Sequence, residues 1–375
     1  MTRITTMDTA GRLACAALLW SLALVASGCG GKDAPPRGSA TDTAHVTVGF
    51  LMETYDLDRW KRDETYFADQ ARALGLSVLR TVADGDQDRQ NKQADALLTQ
   101  GVQALVVVPK NLNTAARIVI SAHEKGIPVL AYDRLIRDCD LDIYITFDNE
   151  KVGFLQADGV LRQVPEGNFI LMGGAASDNN ARLLRQGQLR AIAEHRAATG
   201  KTVRILADPY LDDWDREEAR RRTSSLLTKF HASGIPVHAI IASNDATAGG
   251  VVAALQSEKL AGTVAVSGQD AELQACQRIV EGTQAVTVYK PVKRLAEVSA
   301  RVAAMLARRE EPETIIVSLG FPVRYLDNGM KSVPSIFLEP VFVTKENIVQ
   351  TVIADGWHSF DRVYANVPHS ERPPH

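Results

Sequence analysis

From Val46 the chain alternates short β-branched runs with amphipathic stretches, and no other feature restricts its fold as strongly. Apolar runs at 46–52, 77–82, 104–108 and 128–132 read as strands. They are separated by helical patterns over about 58–74, 88–100 and 114–125. Strands alternating with helices of this length predict right-handed βαβ units and a parallel sheet. A second series begins after a strand at 143–147. Helix at 151–163, strand at 169–172, helix at 180–198, strand at 203–207, helix at 215–230 and strand at 237–242 follow in turn. Further units run through 248–257, 264–267 and 284–288. The fold class is therefore α/β, with two doubly wound parallel sheets. Gly-Ile-Pro-Val occurs at 126–129 and again at 234–237, at equivalent places in the two series. In each copy glycine can end a helix in the left-handed conformation, and proline can open a strand where its missing N–H costs little. A helix over about 292–308 and segments at 315–318 and 336–342 remain, and the polar, proline-rich residues from Asn366 predict a frayed tail.

The strand ends carry the polar groups. Asp133-Arg134 follows the run 127–131, Asn244-Asp245 follows 238–243, Gln269-Asp270 follows 264–268, and Tyr289-Lys290 follows 285–288. Ligands of open α/β sheets sit in the crevice beyond the carboxyl ends of the strands, so this edge predicts a polar small molecule. With 375 residues and 45% apolar content the chain can bury the core of about two domains. A formal net charge of -3 supplies no basic field for nucleic acid phosphates, and no nucleic acid partner is expected.

The first residues read as an export signal: Arg3 and Arg12 precede an apolar stretch at 13–25, too short to span a bilayer comfortably. Its end, Ala26-Ser27-Gly28-Cys29, resembles the lipobox of bacterial lipoproteins, with alanine where leucine is usual three places before the cysteine. Acyl chains on Cys29 would anchor the protein; the alternative is a plain cleaved signal. Residues 30–44 have the composition of a flexible tether. Cys139 and Cys276 lie far apart and indicate no disulfide framework and no metal site.

Several local motifs carry two readings. Asp84-Gly85-Asp86-Gln87-Asp88 with Asp95 imitates a calcium loop, but Arg89 stands where that loop needs glycine and Asp95 where it usually has glutamate. The structural reading is a turn whose Asp86 or Asp88 caps the next helix. The turn at 172–180 is rich in glycine without a phosphate-binding pattern. It is either a tight turn with an N-cap or the support from which Asn180 and Arg185 point into the crevice. Trp60 and Trp214 each sit beside charged neighbours after a strand. They are either core residues or facing planes suited to the C–H faces of a sugar ring. No catalytic motif stands out, and none of the eight histidines lies at a strand end close to a nucleophile. As an acid–base pair, Asp133 and Asp270 would need apolar surroundings to raise one pKa. Arg59, Arg134, Arg185 and Lys290 would instead keep both ionised, which favours binding over catalysis.

Longer blocks identify a family. Arg59-Trp60, the run 131–134 (Ala-Tyr-Asp-Arg), 144–153, 171–174, 178–181, 242–250, 267–271 and 287–291 resemble, in order and without large gaps from 45 to about 358, the bacterial periplasmic D-xylose-binding proteins of ABC sugar importers. The resemblance implies a type I periplasmic binding fold, with two α/β lobes joined by three crossings and closing on a sugar. It implies a site of Arg59, Trp60, Asp133, Arg134, Asn180, Arg185, Trp214, Asn244, Asp270 and Lys290. The surroundings of Trp214 depart from the family wording. It places the crossings near 147–149, 290–292 and 335–338. The lobes would then be 46–148 with 291–335 and 149–290 with 336–365, after a signal at 1–28 and a tether at 29–44 and before a disordered tail at 366–375. The implied protein is an exported, periplasmic monomer; the lipobox and tether depart from the soluble periplasmic members of the family and add the expectation that it is held through Cys29. It would use no cofactor and present D-xylose to an inner-membrane ABC permease. The alternative is a binder of ribose or another monosaccharide that presents it to a chemotaxis or sensor receptor. Two rivals from other classes are a sugar-responsive repressor core, which lacks a recognition helix here, and a glycoside hydrolase.

Overall fold

The computed structural model describes residues 46–374. The signal at 1–28, the lipobox Cys29, the tether at 29–44 and His45 lie outside the described residues. In chain order the first series is β1 (Thr47–Met52), α1 (Asp58–Ala73), β2 (Ser77–Val82), α2 (Gln87–Thr99), β3 (Ala104–Val107), α3 (Ala116–Glu124), β4 (Val129–Tyr132) and β5 (Ile143–Phe147). The second is α4 (Asn149–Gln163), β6 (Gly167–Met172), α5 (Asn179–Thr199), β7 (Val203–Ala207), α6 (Arg216–Ala232), β8 (Ala239–Ala242), α7 (Asp245–Ser257), β9 (Ala265–Val266), α8 (Leu273–Glu281) and β10 (Thr287–Tyr289). The chain closes with α9 (Val292–Ala307), α10 (Pro312–Ser318), β11 (Arg324–Asp327), β12 (Ser332–Leu338), β13 (Val341–Val343) and α11 (Phe360–Val363).

The first sheet has the order β11-β12-β5-β4-β3-β1-β2 and is parallel except where β11 meets β12. The second, β7-β6-β8-β9, is parallel throughout. A bridge between Gln269 and Val288 carries it on toward the antiparallel pair β10-β13. The order reverses between β1 and β3 and again between β6 and β8, and such switch points open the crevices where ligands bind.

Both faces of the first sheet are covered at its centre, which is why β1, β3, β4 and β5 are continuous apolar runs rather than alternating ones. Along β1, Val48, Phe50 and Met52 pack with Phe67 of α1 and Leu295 of α9, while Leu51 turns to Leu97, Leu98 and Ile118 of α2 and α3. Gly126 and Gly234 of the repeated tetrapeptide have φ of 65° and 67°, the left-handed conformation expected at each helix end. Asp86 caps α2 by accepting from the backbone N–H of Asp88 and Arg89, and Asp84 pairs with Arg89 at 2.6 Å. Cys139 and Cys276 are free, buried thiols.

Two boundaries differ from expectation. Residues 335–338 are not a crossing: Ser335 to Leu338 pair in parallel with Tyr144 to Phe147 inside the first sheet, so the chain passes to the second sheet at Glu339-Pro340. The apolar run gives no turn signal before that proline, whose ring bars the residue ahead of it from helical conformations. The described residues from Asn366 to Pro374 are also held rather than frayed, His375 lying outside the described range. Asn366 Nδ2 donates to Glu281 Oε1 at 2.7 Å, and Arg372 Nε donates to the Val367 carbonyl at 2.9 Å.

Candidate functional site

Nine of the ten expected site residues stand between the carboxyl end of a strand and the first turn of the helix that follows, or directly beyond a strand. Arg59 and Trp60 open α1 after β1, Asp133 and Arg134 follow β4, and Asn180 opens α5 after β6. Trp214 precedes α6, Asn244 caps α7 after β8, Asp270 follows β9, and Lys290 follows β10. All nine line one small cavity, whose empty volume of about 280 Å³ is part open to solvent. The two tryptophans, far apart in sequence, are therefore walls of the same chamber rather than parts of separate interiors.

Charge organises the floor. The Arg59 guanidinium donates to both oxygens of Asp63 through Nε and Nη2, at 3.1 and 3.0 Å. It lies 3.0 Å from Asp133 Oδ1 and 3.6 Å from Asp270 Oδ1. Lys290 Nζ lies 3.1 Å from the same Asp270 oxygen and 3.9 Å from Asp133 Oδ1. Burial alone would raise the Asp133 carboxyl, but Arg59, Lys290 and Arg134 hold it below the usual carboxylate range. Burial opposes the Arg59 charge, and Asp133, Asp63 and Asp270 outweigh it, pushing that guanidinium further into its charged form. Arg134 reaches Glu53 Oε1 and Asp178 Oδ2, each at 3.0 Å. Arg59, Arg134 and Lys290 are thus each committed to carboxylates, and none is spare for an anionic ligand.

Two of the acids hold an uncommon backbone. Asp133 has φ of 63° and Asp270 of 93°, with Ala271 at 50° beside it. Such conformations carry strain and persist where the surroundings over-determine them, most often at functional sites. The Asp133 carbonyl accepts from Tyr144 Oη, Thr146 Oγ1 and Asn180 Nδ2, at 2.9, 2.8 and 3.0 Å. The Ala271 carbonyl accepts from Trp357 Nε1 and His358 Nε2, both at 2.8 Å. Gly174 answers a different constraint: a Cβ there would lie 2.1 Å from the Trp214 ring, so only glycine lets that indole lie against the turn.

The chamber is polar and unsatisfied. Trp60 Nε1, Trp214 Nε1, Asn244 Nδ2 and Gln269 Oε1 are buried and have no hydrogen-bond partner. Buried polar atoms are almost always paired, so four orphans around one cavity make it the candidate place for a ligand's donors and acceptors. Both sheets contribute across the cleft: Asn180 to Asp133, Arg134 to Asp178, and Lys110 to Asp213 at 2.5 Å. The structure holds the cleft shut.

Arg185 alone of the ten is not on the cavity wall. Its guanidinium donates to the Leu171 carbonyl, to Asp208 and to Gln188, and lies over the Tyr210 ring behind Gly173. Gln269, Asp178 and Leu57 also line the cavity and stand outside the ten expected site residues, although Gln269 belongs to the polar strand-end pair 269–270. Gln269 is the neighbour of Asp270 at the same strand end, and its position was the available signal.

Residues 48–311 match the family model described as a periplasmic binding protein domain. The chain is 41% identical over 319 residues to the D-xylose-binding periplasmic protein of Escherichia coli, covering 85% of this chain and 93% of that one. It is 40% identical over 326 residues to the protein of the same description in Haemophilus influenzae, covering 87% and 94%. A carbohydrate transporter solute-binding protein from Chloroflexus aurantiacus, solved in complex with D-glucose, superposes with a TM-score of 0.75 at 29% identity, covering 85% of this chain and 98% of that one. With the two-sheet α/β fold and the cleft at its strand ends, these matches show that the chain belongs to the periplasmic binding protein family.

Proposed function

We propose that the chain is the extracytoplasmic sugar-binding component of an ABC importer and that it takes D-xylose, or a closely similar pentopyranose, by closing its cleft. The observation that carries this reading is the chamber itself. Nine polar and aromatic side chains from both sheets meet around one small cavity, with indole and amide groups awaiting partners and no uncommitted cation. A neutral polyol fits that balance better than a sugar acid or phosphate. The two indoles offer apolar surface to ring C–H groups, and the charged acceptors and donors serve the hydroxyls. The relatives that carry D-xylose in their descriptions favour that sugar over other monosaccharides.

Binding rather than turnover follows from the same charges. Asp133 is held ionised by three cations, so it has no proton to give, and its ion-paired carboxylate is a poor base. Closure works as a clamp only if the sugar binds the shut form more tightly than the open one. Micromolar affinity corresponds to about -8 kcal/mol, within reach of several charged hydrogen bonds after the ordering cost. The shut form is then what the permease recognises. Cys29 anchors the exported protein as a lipid-bearing N-terminus; palmitate labelling lost in Cys29→Ser tests that part. Calorimetric titration against a panel of pentoses and hexoses tests the ligand. D-xylose should give saturable one-to-one heat exceeding that of ribose, arabinose and glucose, and an equal or stronger response to another sugar would overturn the assignment.

A further inference from the structure

A second cavity, with no lining residue in common with the sugar chamber, lies where the chain crosses between the sheets. All three crossings reach it: Phe147 ends β5 at the first, Pro291 precedes α9 at the second, and at the third Leu338 ends β12 and Glu339 follows it. Its empty volume is about 880 Å³, part of it open to solvent. The remaining wall comes from Phe321 and Pro322, between α10 and β11, and from the half-buried ring of Phe337. Aromatic rings and prolines make this wall apolar, an unusual surface to leave wet unless something covers it.

Two guanidinium groups stand beside those rings. Arg324 lies 4.2 Å from the centroid of Phe337 and 3.4 Å from Asp148, while the exposed Arg294 lies 5.9 Å from the centroid of Phe321. Among the described residues no carboxylate pairs with Arg294. The single acid of the wall, Glu339, is taken by Lys151 at 2.5 Å. An apolar slot with a spare guanidinium at its rim is complementary to a small molecule that is flat and apolar at one end and anionic at the other.

We infer that this hinge cavity is a regulatory site for a small aromatic monocarboxylate, and that its occupancy favours the shut cleft. The coupling follows from the placement. Opening the cleft must turn the backbone at every crossing, so the walls formed by Phe147, Pro291 and Leu338 cannot keep their present spacing in the open form. A ligand fitted to the present spacing binds the shut form better and so biases the hinge toward it. By reciprocity it tightens sugar binding by the factor by which sugar tightens its own. The sugar half of this statement rests on the proposed function; the site does not.

Benzoate is the probe. Titrated calorimetrically into the full-length protein, it should bind one-to-one. Arg294→Gln should abolish that heat while leaving the native D-xylose affinity intact, since Arg294 lies outside the sugar chamber. Saturating benzoate should tighten D-xylose about fivefold or more, the lower end of ordinary coupling. It should also reduce the radius of gyration in X-ray scattering with no sugar present. Absence of benzoate heat at millimolar concentration, heat that survives Arg294→Gln, benzoate that weakens D-xylose binding, or a radius of gyration unchanged by benzoate would each overturn the inference. A protein that binds and contracts with benzoate but ignores every sugar would instead refute the sugar assignment alone.

Discussion

Replacing Asp270 by Asn isolates the charge at the centre of the site. The Asp270 carboxylate is 7% exposed and lies between Lys290 at 3.1 Å and Arg59 at 3.6 Å. Its backbone φ of 93° disfavours most side chains but suits Asn better than Ala, so Asp270→Asn removes the charge and leaves the loop in place. A hydrogen bond to a charged group contributes about 1.5–3 kcal/mol. If one such bond to a sugar hydroxyl is lost, Kd rises about 10- to 150-fold. Lys290 keeps Asp133 at 3.9 Å, and Arg59 keeps Asp63 and Asp133, so both cations retain a carboxylate and the unliganded fold should lose little. Calorimetry with D-xylose reads the affinity, and thermal unfolding without sugar reads the fold. Asp270→Ala adds backbone strain to the missing charge and should abolish measurable binding. A Kd for Asp270→Asn within twofold of native, at an unchanged melting temperature, would refute the reasoning.

Other consequences are equally direct. Gly174→Ala places a methyl group 2.1 Å from the Trp214 ring, so it should displace that wall and weaken D-xylose tenfold or more; native affinity would show that the indole contributes nothing. Arg134→Lys cannot hold both Glu53 and Asp178, and it should weaken sugar binding chiefly through faster dissociation, as read by stopped-flow tryptophan fluorescence. Burial raises the Asp245 carboxyl to about 7 against Arg278, Gln284 and Thr287. An acid raised in the folded state stabilises the fold below its unfolded pKa, about 4, and that contribution is lost as pH climbs through 7. Asp245 should therefore lower stability between about pH 4 and 7, by at most about 4 kcal/mol, and Asp245→Asn should flatten that slope in urea titrations. An unaltered slope would contradict the assignment. Asp133 runs the other way: its lowered pKa gives stability above about pH 4 that is lost only as pH falls further.

Much of this architecture is legible in the residues because local and global preferences agree. The strands β1 to β5 are short β-branched runs bounded by turn chemistry, and Gly126 and Gly234 end their helices as the tetrapeptide suggests. The site is legible because ligands of such sheets are met at strand ends, and nine of the ten expected side chains converge there. Arg185 is the exception. It lies on the second turn of α5, where the Leu171 carbonyl and Asp208 compete for its guanidinium, and that competition is set by tertiary packing. The third crossing lies beyond the expected 335–338 because β12 stays apolar through Leu338, and only pairing with β5 reveals that it belongs to the first sheet. The helix α8 behind Asp270 is not among the expected elements, although Cys276, Ile279 and Val280 repeat on its buried face.

A crystal structure grown with D-xylose tests the central claim most directly. The pyranose should lie in the chamber, against the Trp60 and Trp214 indoles, with hydroxyls within hydrogen-bond distance of Asp133, Asn180, Asn244, Asp270 and Lys290 and the cross-cleft pairs retained. Sugar found elsewhere on the molecule, or a chamber that stays empty at saturating D-xylose, would contradict it.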